Sequence, residues 1–398
     1  MTKKISFVKV SEVSESLKKH TVNFSNEVFV INNHQFSEML NIGKLYIKLM
    51  ANLYKKQEYF NKELSLTKEI QQFPTPKLTF SPMRFDFLCD SKNNLILSDI
   101  NLPGSFVPDI FWPIYGINTH FDELICDKKN YICHNAYVKY HQIISNYLGD
   151  KYNILRFLDK NTNKPHEQRN FLKKLYQLIN ELKLINLNYS DQEINQKFIQ
   201  NLDSNFLVSL FLNTHNSPEN LSNSIEILLN SDRPIFVNPK LLPFTDKKPP
   251  SLDCLRTILK DNEAEYMNSH LPKVILKGDT VIKRRFGHSS SSYVSNSFST
   301  EDTIRNQDLY PYSEVKLEKL QPIPYQGLSS KIINVNNKLV KNSVEDYLFE
   351  ISLNIFIVTS GTAFNEVLDC VSVSSRGAKS HPISGPHTLL FPTVIGEV

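Results

Sequence analysis

RFDFLCDSKNNLILSDINLPGS, residues 84–105, sets an arginine, two aspartates and an asparagine into an otherwise apolar β-hairpin. Phe85, Phe87 and Cys89 alternate with Arg84, Asp86 and Leu88, the period-2 pattern of a half-buried strand. Asp90-Ser91-Lys92-Asn93 is turn chemistry, and Leu95, Leu97, Asp99 and Asn101 resume the alternation. With those four residues as the turn, Cys89 is expected to pair with Asn94, Arg84 with Asp99, and Asp86 with Leu97. Asn101 extends the same face by one step. Two carboxylates roughly 4–6 Å apart repel by a few kcal/mol at an effective dielectric near 20. Arg84 can neutralise one of them, as a structural ion pair. Mg²⁺ can neutralise both, because it favours a few carboxylate or amide oxygens completed by water and phosphate. Spacing alone leaves both readings open.

The rest of the composition narrows the class. A chain of 398 residues, 40% hydrophobic, is expected to hold two or three domains. Lys+Arg 45 against Asp+Glu 41 leaves a formal charge of +4, too balanced to predict a nucleic-acid partner. The N-terminal MTKKISFVKVSEVSESLKKH has no apolar run of signal-peptide length after its lysines. Nothing approaches the roughly 18 apolar residues of a membrane span. Five scattered cysteines, none spaced as CxxC, argue against a disulfide framework or structural zinc, and Cys133, His134 and His141 read as packing residues. The expectation is a soluble, cytoplasmic protein whose oligomeric state is open.

Residues 36–72 and 130–148 carry apolar side chains at helical spacing. From about 150 the pattern changes. KYNILRFLD, LINLNY, NFLVSLFLN and PIFVNP read as strands, with helices at HEQRNFLKKLYQLINELK and at SPENLSNSIEILLN. That alternation argues for a small α/β layer, with a parallel sheet as one option, and the absence of GxGxxG speaks against dinucleotide binding. After 240 the chain reads as α+β: LDCLRTILKDN as a helix, residues 273–285 as a hairpin turning at Lys277-Gly278-Asp279-Thr280, and 346–358 and 367–374 as strands.

A second polar constellation closes that late hairpin. Lys283-Arg284-Arg285 runs into FGHSSSSYV. A strand lysine followed by a loop of glycine and small hydroxyl residues is one way to grip a triphosphate: the lysine supplies a point charge, and loop N–H groups and hydroxyls wrap the oxygens. The alternative is a basic strand with a serine linker, and no Walker A motif is present. Upstream, Asp246-Lys247-Lys248 precede a helix, where a lysine could reach the same phosphates.

Taken together, the stretches resemble the ATP-grasp enzymes, specifically the circularly permuted branch of glutathionylspermidine synthetase-like carboxylate–amine ligases. In that branch the metal-binding hairpin, R-x-D then D/E-x-N, precedes the nucleotide-binding lysines. Here it is Arg84-Phe85-Asp86 and Asp99-Ile100-Asn101, followed by Pro103-Gly104, the α/β stretch ending in Val237-Asn238-Pro239, Asp246-Lys247, a helix, and VIKRRFGHSSSSYV. The order matches over roughly residues 36–398. The resemblance implies an α+β, circularly permuted ATP-grasp fold with an additional small α/β pre-ATP-grasp layer. It divides the chain into 1–149 (a helical region with the metal-binding hairpin), 150–240 (the pre-ATP-grasp-like layer) and 241–398 (the nucleotide-binding subdomains).

By the same resemblance, ATP and Mg²⁺ are the cofactors. Asp86, Asp99 and Asn101 are expected as metal ligands, with Arg84 near the γ-phosphate or an acyl phosphate. Lys283 and Lys247, or Lys248 one step along, are expected on the nucleotide phosphates. Gly287, His288, Ser289, Ser290 and Ser291 lie in the loop expected to cover them. Gln321 and Ile323, in LQPI, are the adenine-hinge candidates, and Arg376 is expected to contact phosphate or a substrate carboxylate. Asp99 stands where relatives use glutamate, and the phosphate loop holds one glycine and four serines. His381 and His387 are left without a role.

The implied chemistry is amide formation through an acyl phosphate, between a small-molecule, peptide or carrier-bound carboxylate and an amine. Such a site relies on positioning and charge stabilisation, in keeping with the lack of a Ser-His-Asp or Cys-His set. Two alternatives stay open: an ATP-grasp phosphotransferase, and a non-catalytic nucleotide-binding or scaffold protein, the latter suggested by the glycine-poor loop.

Overall fold

The structure is a computed structural model of the chain. It describes residues 23–24, 27–55, 77–89, 94–101, 131–132, 136–149, 153–158, 188–193, 206–211, 250–273, 280–284, 293–295, 314–318, 323–324, 332–334, 348–360, 363–378, 389–391 and 393–396. In chain order these hold β1 (Asn23–Phe24), β2 (Glu27–Ile31), α1 (Asn33–Lys55), β3 (Leu78–Cys89), β4 (Leu95–Asn101), β5 (Tyr131–Ile132) and α2 (Ala136–Leu148). Next come β6 (Asn153–Leu158), β7 (Asn188–Glu193), β8 (Phe206–Phe211), α3 (Leu252–Ile258) and α4 (Asp261–Ser269). The last part holds β9 (Thr280–Arg284), β10 (Tyr293–Ser295), β11 (Glu314–Glu318), β12 (Ile323–Pro324), β13 (Ile332–Asn334), β14 (Leu348–Ser360), β15 (Ala363–Ala378), β16 (Leu389–Phe391) and β17 (Thr393–Gly396).

The opening hairpin joins a seven-stranded sheet in the order β1-β16-β15-β14-β3-β4, with β12 also paired to β14. Strand β3 therefore lies between its sequence neighbour β4 and β14, more than 250 residues downstream. Polarity follows the period of two, while both faces are largely buried. Phe85, Phe87, Ile351, Leu353 and Ile355 are fully buried on one face, each worth roughly 1.5–3 kcal/mol of transfer free energy. Helix α1 covers that face. Among its ten buried residues, Met39, Ile42, Tyr46, Met50 and Leu53 recur at steps of three and four. Asn32 caps its start, its Oδ1 accepting from the Gln35 N–H at 2.8 Å.

Gly43 sits where helix and sheet come closest. A Cβ there would lie 2.7 Å from Ile355 Cδ1 and 3.2 Å from Leu353 Cδ2. Tyr46 packs edge-on against Phe85, with ring centroids 6.1 Å apart. Helix α2 ends at Gly149, whose φ of +86° lets its N–H close on Ser145 O at 2.7 Å.

The stretch 252–262 is two helices where one was expected, because the chain turns extended at Lys260 and Leu259. Ser251 caps α3 by accepting from the Cys254 N–H, and the Glu263 carboxylate takes the Lys260 N–H at the start of α4. The pair docks on α1 and β4. Lys48 binds Glu263 at 2.8 Å, His270 binds Glu38 at 2.9 Å, and the Leu97 N–H donates to the His270 carbonyl at 2.8 Å.

The smaller sheets are β10-β9-β11, β13-β2-β17-β5 and β7-β6-β8. The last is parallel, the option that the strand–helix alternation left open. Its strand β7 begins at Asn188, four residues later than LINLNY implies, and β15 runs well beyond the expected 367–374. Of the hairpin expected at 273–285, the second arm is β9, and its partners are β10 and β11, which follow it in the chain. PIFVNP and the helices expected at 166–183 and 217–230 lie outside the described residues.

Candidate functional site

The opposite face of the large sheet is polar. The hairpin register differs from the expectation: Cys89 pairs with Leu95, Leu88 with Ile96 and Phe87 with Leu97, and then the register shifts. Beyond the shift Asp86 lies opposite Asp99 and Arg84 opposite Asn101. Ser98 is the extra residue of this bulge, and its hydroxyl donates to the Asp86 carbonyl at 3.0 Å. The bulge sets the two aspartates directly across from each other, closer than the sequence register put them.

Strands β14 and β15 continue those rows. Asn354 lies beside Arg84, Ser352 beside Asp86 and Ser374 beyond it, and Glu350 pairs with Arg376. Asp86 is fully buried. Its carboxylate accepts from the Ser352 hydroxyl at 2.6 Å and from Arg84 Nε at 2.9 and 3.1 Å, and Arg376 approaches to 3.6 Å. Arg376 also forms an ion pair with Glu350, its Nε and Nη2 both directed at Oε1. Asp99 Oδ1 accepts from the Ile100 N–H at 2.9 Å.

Three carboxylates therefore share two guanidiniums. Burial pushes the Glu350 carboxyl above the usual carboxylate range; Arg376 opposes this, while Asp86 and Asp99 add to it. For Arg376, burial pulls the other way, but Glu350 and Asp86 outweigh it and hold the guanidinium charged. One end of the same face is apolar. Phe80 stacks on Phe356 at 6.4 Å and meets Tyr147 of α2 edge-on at 5.4 Å.

The structure thus gathers Arg84, Asp86, Asp99 and Arg376 on one sheet face, with Asn101 in register beside Arg84. Ile323 lies opposite Phe349, next to Glu350, on the edge of the same sheet. Lys283 belongs to a different sheet, opposite Tyr293 and Val315. Lys247, Lys248, Gly287, His288, Ser289, Ser290, Ser291 and Gln321 lie outside the described residues, as do Cys133, His134, His381 and His387. Glu350, Ser352 and Asn354 were not anticipated. Their signal is in the sequence: F-E-I-S-L-N-I, residues 349–355, interleaves polar and apolar residues just as the opening hairpin does.

Among the described residues no three His, Cys, Asp or Glu side chains form a metal-holding group. The donor chemistry of Asp86, Asp99 and Asn101 is nonetheless all oxygen and suits Mg²⁺, with Arg84 competing for Asp86. Among these residues no helix is long and apolar enough to cross a membrane.

No family model and no curated protein matches the chain. Among solved structures, the chain is similar to a provisionally named gamma-glutamylcysteine synthetase from Methylobacillus flagellatus, at 11% identity over 81% of this chain and 85% of that one, with a TM-score of 0.33. It is also similar to the apo form of a glutathione synthetase-like effector, GSS30, from Globodera pallida, at 9% identity and a TM-score of 0.58. That match covers 98% of this chain and 96% of the other, so the chain has the fold of a glutathione synthetase-like protein.

Proposed function

We propose that the chain is an ATP-dependent carboxylate–amine ligase of the circularly permuted ATP-grasp type. The reading rests on one observation: a buried sheet face on which two aspartates meet across a bulge, flanked by two arginines. Two guanidiniums suit the oxygens of a phosphate or a carboxylate, which they bind as planar forks. The surplus carboxylate leaves room for a hard cation, which Asp86, Asp99 and Asn101 would hold. When bound, Mg²⁺ supplies charge neutralisation for the phosphates.

In this reading ATP transfers its γ-phosphoryl group to the substrate carboxylate, giving ADP and an acyl phosphate. An amine then displaces phosphate and forms the amide. Arg84 and Arg376 orient the anionic groups, and Lys283, with Lys247 or Lys248, neutralises the nucleotide. The acid is a small molecule, a peptide or a carrier-bound acyl group, and the protein works in the cytoplasm.

The test is ADP release that requires both a carboxylate and an amine. Asp86→Ala and Lys283→Ala are expected to abolish it, and hydroxylamine is expected to trap a hydroxamate. ADP release without hydroxamate would instead mark transfer to a hydroxyl or another acceptor.

A second reading has its own observation. Both oxygens of Asp86 are already engaged by Arg84 and Ser352, as in a purely structural ion pair. On that reading the protein binds nucleotide without turnover, or serves as a scaffold. Calorimetry would then show ATP binding while no acid–amine pair releases ADP.

A further inference from the structure

Among the described residues, Asn354 is the one whose buried side-chain nitrogen and oxygen both lack a hydrogen-bond partner. It is 1% exposed, and neither its Oδ1 nor its Nδ2 has a partner among the described residues. A buried donor or acceptor left without a partner loses its hydration and gains nothing in return, so a carboxamide here is costly unless something uses it. Ser352 and Glu350, two and four residues away on the same strand face, have partners in the Asp86 carboxylate and the Arg376 guanidinium. The neighbours of Asn354 are informative: Arg84 lies beside it in register, and the Phe80–Phe356 stack begins two residues further along the strand.

Several occupants can be weighed by chemistry. A metal ion would satisfy Oδ1 and leave the Nδ2 donor unmet. An anion would satisfy Nδ2 and leave Oδ1. A group that carries one donor and one acceptor side by side satisfies both, and the amide is the common group of that kind. We propose that Asn354 is a specificity-determining residue that hydrogen-bonds an amide group of the substrate, next to the carboxylate taken by Arg84. The substrate acid is then one that already contains an amide, such as an acylated amino acid or a peptide, rather than a simple amino acid. Arg84, beside Asn354 in register, keeps 17% of its side chain exposed. This inference rests on the ligase reading for the identity of the acid, but its test does not need turnover.

The probes are the nineteen N-acetyl amino acids other than N-acetylproline, and their ester analogues, in which oxygen replaces the amide N–H. Binding to the full chain is measured by calorimetry without ATP. At least one N-acetyl amino acid is expected to bind tenfold or more tightly than its ester, and Asn354→Leu is expected to reduce that ratio to about one. The melting temperature of Asn354→Leu is expected to equal or exceed that of the native protein, since an unmet polar pair is replaced by a near-isosteric apolar side chain. Equal binding of amide and ester, no binding of any probe, or a lowered melting temperature would each overturn the proposal. The last outcome would show that a structural water already satisfies the carboxamide. Amide-dependent binding without ADP release would sink the ligase reading alone, and ADP release indifferent to the amide would sink this inference alone.

Discussion

Replacing Asp86 by asparagine keeps the shape of the side chain and removes one negative charge from the centre of the polar face. In the native protein that charge lies 2.9 Å from Arg84 and 3.6 Å from Arg376, with no solvent exposure. Breaking a buried ion pair by removing one partner costs about 3–5 kcal/mol. Two features reduce that figure. Arg376 keeps Glu350, and Arg84 is partly exposed, so water takes over some of its solvation. Removing the charge also relieves repulsion from Asp99, directly opposite, and from Glu350. The Ser352 hydroxyl keeps an acceptor, though a neutral one, at a loss of about 1 kcal/mol. A net destabilisation of about 2–3 kcal/mol is expected. Urea unfolding followed by both circular dichroism and tryptophan fluorescence measures it, with agreement between the probes confirming a single transition. A variant as stable as the native protein, or more stable, would refute the reasoning. It would mean that the carboxylates repel one another more than they hold the arginines, as in a site built around a cation.

Arg376→Met leaves Glu350 buried without its main partner, so its carboxyl moves further above the usual range. A carboxyl raised in the folded state contributes stability below its unfolded value that is lost as pH rises, so the variant's deficit is expected to be larger at pH 8 than at pH 5. Gly43→Ala gains about 1 kcal/mol of helix propensity but drives a methyl against Ile355 and Leu353, an overpacking that costs about 1–3 kcal/mol. A lowered melting temperature is expected, and Gly43→Val is expected to be worse. Glu263 is held below its ordinary range by Lys48 first and then by the Lys260 N–H. Lys48→Met is therefore expected to cost under about 1 kcal/mol at neutral pH, with the difference fading as falling pH protonates Glu263 and in high salt.

The opening hairpin was legible because alternation reports directly which residues share a face. Its register was not, since the bulge at Ser98 depends on how β4 meets the His270 carbonyl, and nothing local to the strand encodes that contact. A serine fits an extra bulge position as readily as a regular one. Residues 346–358 were legible as a strand, yet their partner β3 lies in the first quarter of the chain, so the meeting of Glu350 and Asn354 with Arg84 and Asp86 was invisible. Arg376 was singled out only through the family resemblance, which places a site-closing segment near the C-terminus; its partner Glu350 looked like an ordinary strand residue. The split between α3 and α4 escaped because Leu259 and Lys260 have no helix-breaking chemistry of their own.

The pairing of β1 with β16 and of β2 with β17 ties residues 23–31 to residues 389–396. At a synthesis rate of about 5–20 residues per second, the leading strands wait on the order of 20–70 seconds for their partners to be made. During that interval their backbone donors and acceptors are open to any other extended chain nearby, and the large sheet cannot be completed. Maturation of this protein is thus tied to translation speed, and slowing the ribosome should increase its demand for chaperones and its loss to aggregates.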